Sequence, residues 1–411
     1  MFDKTYLTPA EAVAMILDKL PLQTAHCETL TIEECYGRIA ASDVVSAEDL
    51  PGFARSTMDG YAVRSSDTYG ARETLPAYIT VFHEVFMGEK ISFEIKAGEA
   101  AKIPTGGMLP AGADAVVMLE HAQVVSDTMI EIMKSVAPGE NVIQRDEDIK
   151  KGSSIILKGR KLRAQDIGAL AGLGITSIEV FKQPAVALIS TGDEIVSSRD
   201  SVSPGQVRDI NSFTLAGLIM DVGGIPHKMG IFRDDYDTIR KAVDEALIDS
   251  DMVLIIGGTS AGTRDMTAKI IDDIGKPGVI FHGVAVKPGK PLIGGLIGGK
   301  PVLGLPGHPA AAVVSFDLFI GPIIRRLAGI NVSKEFKKTI TAVMGKSIAS
   351  AAGREDHIRV YIEAASGEMK AYPILGKSGL IRTLVQADGI VVIPAAKLGI
   401  DQGELVTVNL F

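Results

Sequence analysis

Residues 251–265 read DMVLIIGGTSAGTRD, residues 279–291 read VIFHGVAVKPGKP and residues 301–309 read PVLGLPGHP. Asp251 to Ile256 is a short apolar, β-branched run that stops at Gly257-Gly258. A buried parallel strand has this texture, and it opens into a loop at the C-terminal edge of the sheet, where ligands of open α/β sheets sit. Gly258 to Gly262 supply backbone without bulky side chains, and Thr259 and Ser260 add hydroxyls, so N–H and O–H donors are expected to converge on an oxyanion there. Asp265 is expected at or near the start of a helix from Met266 to Ile274, where a carboxylate also serves as a plain cap. Lys287-Pro288-Gly289-Lys290-Pro291 carries two ammonium groups on a loop stiffened by proline, which suits a phosphate or another small anion. Leu303 to Pro309 forms a second glycine-rich strand end, with Pro309 at a first helical position. Each loop by itself is an ordinary turn; three of them following strands of one sheet outline a site.

Around this stretch strands and helices alternate. Ala185 to Ser190 is an expected strand ending in Thr191-Gly192-Asp193-Glu194, Asn211 to Val222 a helix, and Gly224 to Ile231 a strand. Ile239, Ala242, Val243, Ala246 and Leu247 mark a further helix capped by Asp234 or Asp235. Pro309 to Ala328 is the last helix, ended by Gly329. Such alternation predicts a doubly wound, nucleotide-type α/β domain over residues 181–330.

The rest of the chain has a different texture. Thr8-Pro9-Ala10-Glu11 has capping-box spacing, and Ala12, Val13, Ile16, Leu17 and Leu20 follow as an apolar stripe that packs on another subunit or on its own domain. Thr31 to Glu34 opens a shorter helix that Gly37 ends. Residues 1–50 and 143–180 form a discontinuous, mixed helical linker domain, into which residues 51–142 insert as a compact β domain of short strands. Within that insert, Asp59 before Gly60 reads as a turn with a self-bonding carboxylate, and Thr105-Gly106-Gly107 as a hairpin. Residues 331–411 return to short strands at close spacing, a small C-terminal β-barrel.

With 411 residues, 46% hydrophobic and 22% charged, the chain is a globular protein of several domains. A net charge of −8 excludes a basic stripe for nucleic acid. No apolar run reaches the ~20 residues that span a bilayer, and the N-terminus lacks a basic region followed by an apolar one, so a cytoplasmic protein without membrane contact is expected. Cys27 and Cys35 have no Cys/His cluster around them, which argues against a disulfide framework or structural zinc; both read as buried thiols or bystanders.

The motifs PGFARSTMDGYAV (51–63), IPTGGMLPAGADAVVMLE (103–120), ENVIQRDEDIKKG (140–152), LISTGDEIV (188–196), GQVRDIN (205–211), GGTSAGTRD (257–265), VAVKPGKP (284–291) and GLPGHPAAAVVSF (304–316), in this order, resemble molybdopterin molybdenumtransferases of the MoeA type, the family of the C-terminal region of gephyrin. The resemblance implies an elongated homodimer of four-domain subunits with a cleft between the nucleotide-type domain of one subunit and the β domain of the other. It implies insertion of molybdate into the dithiolene of adenylylated molybdopterin with release of AMP and a divalent cation such as Mg²⁺. Its functional positions fall on Asp59, Thr105, Asp148, Glu194, Asp265, Lys287, Lys290, Arg359 and Ser378. On this reading Asp59, Thr105, Glu194 and Asp265 are catalytic, with the three carboxylates Asp59, Glu194 and Asp265 positioning the metal or molybdate. Gly258, Ser260, Gly262, Lys287, Lys290, Asp148, Arg359 and Ser378 bind substrate. The chain departs from the family at His308, where asparagine is usual, at Arg264, where a neutral or acidic residue is common, and at Asp146, which replaces a glycine. A tungstate-handling relative and a non-catalytic molybdopterin-binding scaffold are the alternatives. A hydrolase sharing only the sheet domain, as in the competence-damage family, leaves residues 51–152 unexplained.

Overall fold

A computed structural model describes residues 6–20, 26–257, 261–330, 338–365 and 367–411. Gly258, Thr259 and Ser260, central to the oxyanion reading, lie outside these. Helix α1 (Pro9–Leu17) has both halves of the expected capping box, the Thr8 hydroxyl accepting from the Glu11 N–H and the Glu11 carboxylate from the Thr8 N–H. Its buried stripe, Ala12 and Ile16 with Leu20 beyond, joins the core of the α/β domain of the same chain. The apolar stripe dictates burial; it does not dictate the partner, which here is neither a second subunit nor the linker domain.

Strand β1 (Cys27–Thr31) runs into a single 3-10 turn, Ile32–Glu34, and Gly37 follows in the left-handed region at φ 76°. The insert then supplies β2 (Gly60–Val63), β3 (Arg72–Glu84), β4 (Glu99–Ile103), β5 (Ala115–Met118), β6 (Ala122–Ser126) and β7 (Met129–Lys134). They form one sheet in the order β5-β2-β4-β3-β7-β6, with a core on each face, one around Tyr61, Ile79 and Val117 and one around Ala62, Ile103 and Val116. On its return the chain forms α2 (Ala164–Gly172) and β8 (Ser177–Phe181). Strand β8 pairs antiparallel with β1, and Ile32, Cys35, Leu162, Leu170 and Ile178 close a core from both halves of the linker. Cys35 is buried in it, whereas Cys27 is exposed.

The central domain alternates β9 (Ala185–Thr191), α3 (Asn211–Asp221), β10 (Ile225–Phe232), α4 (Tyr236–Asp249), β11 (Met252–Ile256) and α5 (Ala261–Ile274). It continues with β12 (Pro277–His282), β13 (Val286–Lys287), β14 (Ile293–Ile297), β15 (Lys300–Leu305), α6 (Pro309–Ser315) and, after a π turn at Phe316–Ile320, α7 (Gly321–Leu327). Gly329, at φ 71°, ends the helix as expected. The sheet order is β10-β9-β11-β15-β14-β12; the first four strands are parallel, and β14 and β12 extend the sheet antiparallel. Alternate residues of the central strands serve opposite faces. Val186, Leu188, Met252 and Leu254 face α1, α3, α6 and α7, while Ala187, Ile189, Val253 and Ile255 face α4 and α5. Burial on both faces explains why these strands read as unbroken apolar runs.

The last domain has β16 (Thr339–Met344), β17 (Glu355–Ala365), β18 (Glu368–Pro373), β19 (Gly389–Ile393) and β20 (Leu405–Leu410) in the order β17-β18-β16-β20-β19. Pairing of β19 back onto β17, Asp356 opposite Ile393 through Val360 opposite Gly389, closes the barrel. The short strand β13 of the central domain adds parallel to β17, with Lys287 opposite Asp356. Ile390 of the barrel contributes to the central core.

Candidate active site

The chain leaves β9 through α3 to reach β10 on one side, and returns through α4 to β11 on the other. The C-terminal ends of β9 and β11 are therefore the topological switch point, where an open α/β sheet leaves a crevice. Gly257 sits in it at φ 154°, and a Cβ there would stand 2.2 Å from the Thr191 carbonyl oxygen, so the two strand ends approach only because residue 257 has no side chain. A small depression of about 10 Å³ adjoins this edge, its described lining including Ile255, Gly257, Thr267, Pro291, Leu305 and Pro306.

Helix α5 begins at Ala261, five residues before the expected start, so Asp265 is no cap; it stands exposed on the second turn. Gly262 belongs to the first turn, whose N–H groups have no intrahelical acceptors and point toward the crevice end of the helix. Glu194 and Asp193, both exposed, follow β9. Asp234 joins them: burial first, and then the negative charges of Asp193 and Glu194, push its carboxyl up from the usual range, against a hydrogen bond from Thr191. Its Oδ1 is buried without a partner. Sequence reasoning missed Asp234 because it offered one helix cap to two aspartates; Asp235 takes that role, accepting from Thr238 N at 2.8 Å and its hydroxyl at 2.7 Å, which leaves Asp234 spare.

The GQVRDIN and GLPGHP motifs brace each other. Ser190 Oγ donates to Asp209 at 2.8 Å, and Asn211 Nδ2 donates to the Gly307 carbonyl at 2.8 Å. On the other side, Ala310 N donates to the Ser378 carbonyl at 3.1 Å, and His308 Nδ1 lies 2.9 Å from Ser378 Oγ. Arg359, buried on β17, donates to the Gly376 carbonyl at 3.0 Å, and burial lowers its pKa. Arg359 and Ser378 thus meet the central domain through the barrel loop of residues 376–379. Lys287 Nζ is 3.6 Å from the buried Asp356, whose other oxygen accepts from Arg354 at 2.9 Å. Lys290 Nζ lies 4.3 Å from the centroid of the Tyr6 ring.

Asp59 and Thr105 come together elsewhere. The Asp59 carboxylate does not bond to its own turn but accepts from Thr105 N at 2.7 Å and Thr105 Oγ1 at 3.0 Å; the N–H chiefly, then the hydroxyl, hold its pKa below the usual carboxylate range. Residues 104–107 form a turn rather than a hairpin, Gly107 N donating to the Pro104 carbonyl at 2.9 Å and Gly106 N to Ser56 at 2.8 Å. The hydrogen bonds of the Asp59–Thr105 pair stay within the insert. Asp148 is exposed where the insert rejoins the linker, its N–H donating to Leu50. Asp146, two residues before it, has φ 62°, a left-handed conformation that accounts for glycine at the matching family position. Among the described residues no group of three or more His, Cys, Asp or Glu could hold a metal ion, so Asp59, Glu194 and Asp265 do not make one ligand set within the chain. Nor is any described helix long and apolar enough to cross a membrane.

Comparison with known proteins matches residues 7–174 to the MoeA N-terminal region (domain I and II), 187–326 to a probable molybdopterin binding domain and 341–411 to the MoeA C-terminal region (domain IV). The chain is 32% identical to a molybdopterin molybdenumtransferase of Haemophilus influenzae over 98% of both chains. Two solved structures described as molybdopterin biosynthesis MoeA protein from Pyrococcus horikoshii superpose with TM-scores of 0.81 and 0.85. They are 37% and 30% identical to this chain, cover 98% and 99% of it, and are themselves covered over 99% and 100%. With three family regions in order and near-complete coverage, the chain belongs to the MoeA-type family of molybdopterin molybdenumtransferases, transferases of molybdenum cofactor biosynthesis.

Proposed function

We propose that the protein is a cytoplasmic homodimer that inserts molybdate into the dithiolene of adenylylated molybdopterin and releases AMP. The observation that carries this reading is the division of the site. A crevice with cations, helix-end N–H groups and carboxylates lies on the central domain and barrel, while Asp59 and Thr105 bond to each other on the insert. The insert of one subunit then completes the crevice of the other.

Cleaving the anhydride of an adenylylated substrate builds negative charge on the departing phosphate. Lys287 and Lys290 hold the phosphates, and the first-turn N–H groups of α5, Gly262 among them, donate to their oxygens. Arg359 and Ser378 orient the pterin side through the loop at residues 376–379. Asp148 lies at the root of the insert and touches the substrate from that side. The donors around the crevice suit Mg²⁺, which takes oxygen ligands, keeps several waters and binds through one or two carboxylates plus substrate phosphates. Asp234, with its buried, unpartnered oxygen, and Glu194 beside it would hold it, with Asp265 and, from the facing insert, Asp59 acting on it through bound waters. When bound, the ion supplies charge neutralisation at the phosphates.

Incubating the purified protein with adenylylated molybdopterin, Mg²⁺ and either molybdate or tungstate, and following AMP, tests the reading. Release that depends on the oxyanion supports it and ranks the two metals. Pterin binding without AMP from either oxyanion transfers the protein to the scaffold class. Asp265→Ala is expected to lower AMP release by at least ~100-fold with an unchanged unfolding curve.

A further inference from the structure

We infer that Tyr6 is a positioning residue for Lys290, holding its ammonium over the anion loop without neutralising it; this rests on the phosphate-binding role given to Lys290 above. The segment before α1 runs beside that loop. Leu7 bridges Val284 in parallel, and Ala285 N donates to the Leu7 carbonyl at 2.8 Å. The capping box at Thr8 and the buried Ala12 and Ile16 anchor the segment to the central domain. Gly283, at φ 85°, leaves room for the Tyr6 ring: a Cβ there would lie 2.6 Å from Tyr6 Cε1. Val284 N donates to the Lys290 carbonyl at 3.0 Å, so the lysine backbone is fixed on the same loop, and its Nζ reaches the face of the ring at 4.3 Å.

The two lysines of the loop are therefore held by unlike partners. Lys287 faces a carboxylate, which offsets part of its charge and competes with an incoming phosphate. An aromatic face attracts an ammonium through its quadrupole and carries no net charge, so the N–H groups of Lys290 turned away from the ring stay available to an anion. Restricting a flexible four-carbon chain beforehand removes part of the ordering cost of binding. This gives the N-terminal segment a part in substrate affinity although it lies outside every glycine-rich motif.

Titrating the full-length protein with AMP by calorimetry tests the role. Tyr6→Leu, which keeps an apolar side chain on Gly283 but removes the ring, is expected to raise the Kd about three-fold, while Tyr6→Phe leaves it unchanged. In a Lys290→Gln background, Tyr6→Leu is expected to have no further effect. No change in Tyr6→Leu, or a change that persists without the lysine, overturns the assignment. A second readout needs no ligand. The ε-methylene protons of Lys290 should resonate upfield under the ring current and return to ordinary positions in Tyr6→Leu; unshifted protons in the unaltered protein refute the geometry. A protein that binds AMP and shows these effects, yet releases none from the adenylylated pterin, refutes the transferase reading and leaves the role of Tyr6 standing.

Discussion

The C-terminal barrel and the inserted sheet both supply residues to the expected site, but their attachments differ. The barrel is stitched to the central domain by the β13–β17 pairing, by Glu355 N donating to Ala285 at 2.9 Å, by Ala310 N donating to Ser378, and by Ile390 in the shared core. It is also closed upon itself, so its strands present few free edges. The insert is an open sheet whose end strands, β5 and β6, do not pair with each other, and Tyr78, Phe82 and Phe86 are 55–61% exposed on it. Backbone pairing fixes Arg359 and Ser378 with respect to the crevice of their own chain. Asp59 and Thr105 are fixed with respect to each other, and on the homodimer proposed above their place in a site depends on how subunits meet.

The strongest way to break this comparison is complementation. Asp59→Asn and Lys287→Gln are each expected to reduce AMP release to background as homodimers. If the insert serves the partner's crevice, subunits mixed at random put half the protein into heterodimers with one intact site of two, and about a quarter of the activity returns. No recovery in AMP release would place Asp59 at the crevice of its own chain.

A change in the stitch should read out as stability. Asp356 is buried and holds Arg354 and Lys287, both partly exposed cations that can return to water when it is removed. Asp356→Ala is therefore expected to cost about 1–2 kcal/mol in urea unfolding, less than a fully buried ion pair would. Thr105→Val on the insert should leave the unfolding midpoint almost unaltered, since the Thr105 hydroxyl bonds an exposed carboxylate. Equal effects at the two positions would erase the distinction between them.

A small effect of the opposite sign is expected at Asp234. Folding raises its pKa, so its folded state favours the protonated form: the favourable contribution is complete below the unfolded pKa and is lost as pH rises through the folded one. At neutral pH the ionised group is thus a burden, and Asp234→Asn should raise Tm by about 1 °C while lowering activity, the gain disappearing in acid. A Tm that falls at neutral pH would show that Asp234 is held by contacts outweighing its burial.

Much of the central domain was legible because its strands are buried on both faces, and sequence alone shows an apolar run such as Met252–Ile256 or a capping box such as that at Thr8. Partners were not legible. Nothing local links Asp59 to Thr105, forty-six positions on, or Lys290 to Tyr6, and the amphipathic stripe of α1 is the same whichever surface covers it. The start of α5 was misplaced because the glycines and hydroxyls of Gly258 to Gly262 suit a loop as well as a helix end, and Asp265 offered a cap signal further on. The antiparallel edge of the sheet, β12 with β14, followed from pairing at a distance. Barrel closure through β17 and β19 has the same origin, although strand spacing alone suggested the domain type.

The pairing of Lys287 with Asp356 gives the crevice an occupant of its own. On the phosphate-binding role proposed for Lys287, a carboxylate built into the barrel wall acts as a placeholder anion, standing beside the half-exposed ammonium of the loop until a phosphate arrives. Binding is then an exchange of counterions, in which the ligand takes Lys287 and leaves Asp356 to Arg354. The net attraction would then be the difference between two anions for one cation, so a singly charged competitor would gain less there than a doubly charged phosphate.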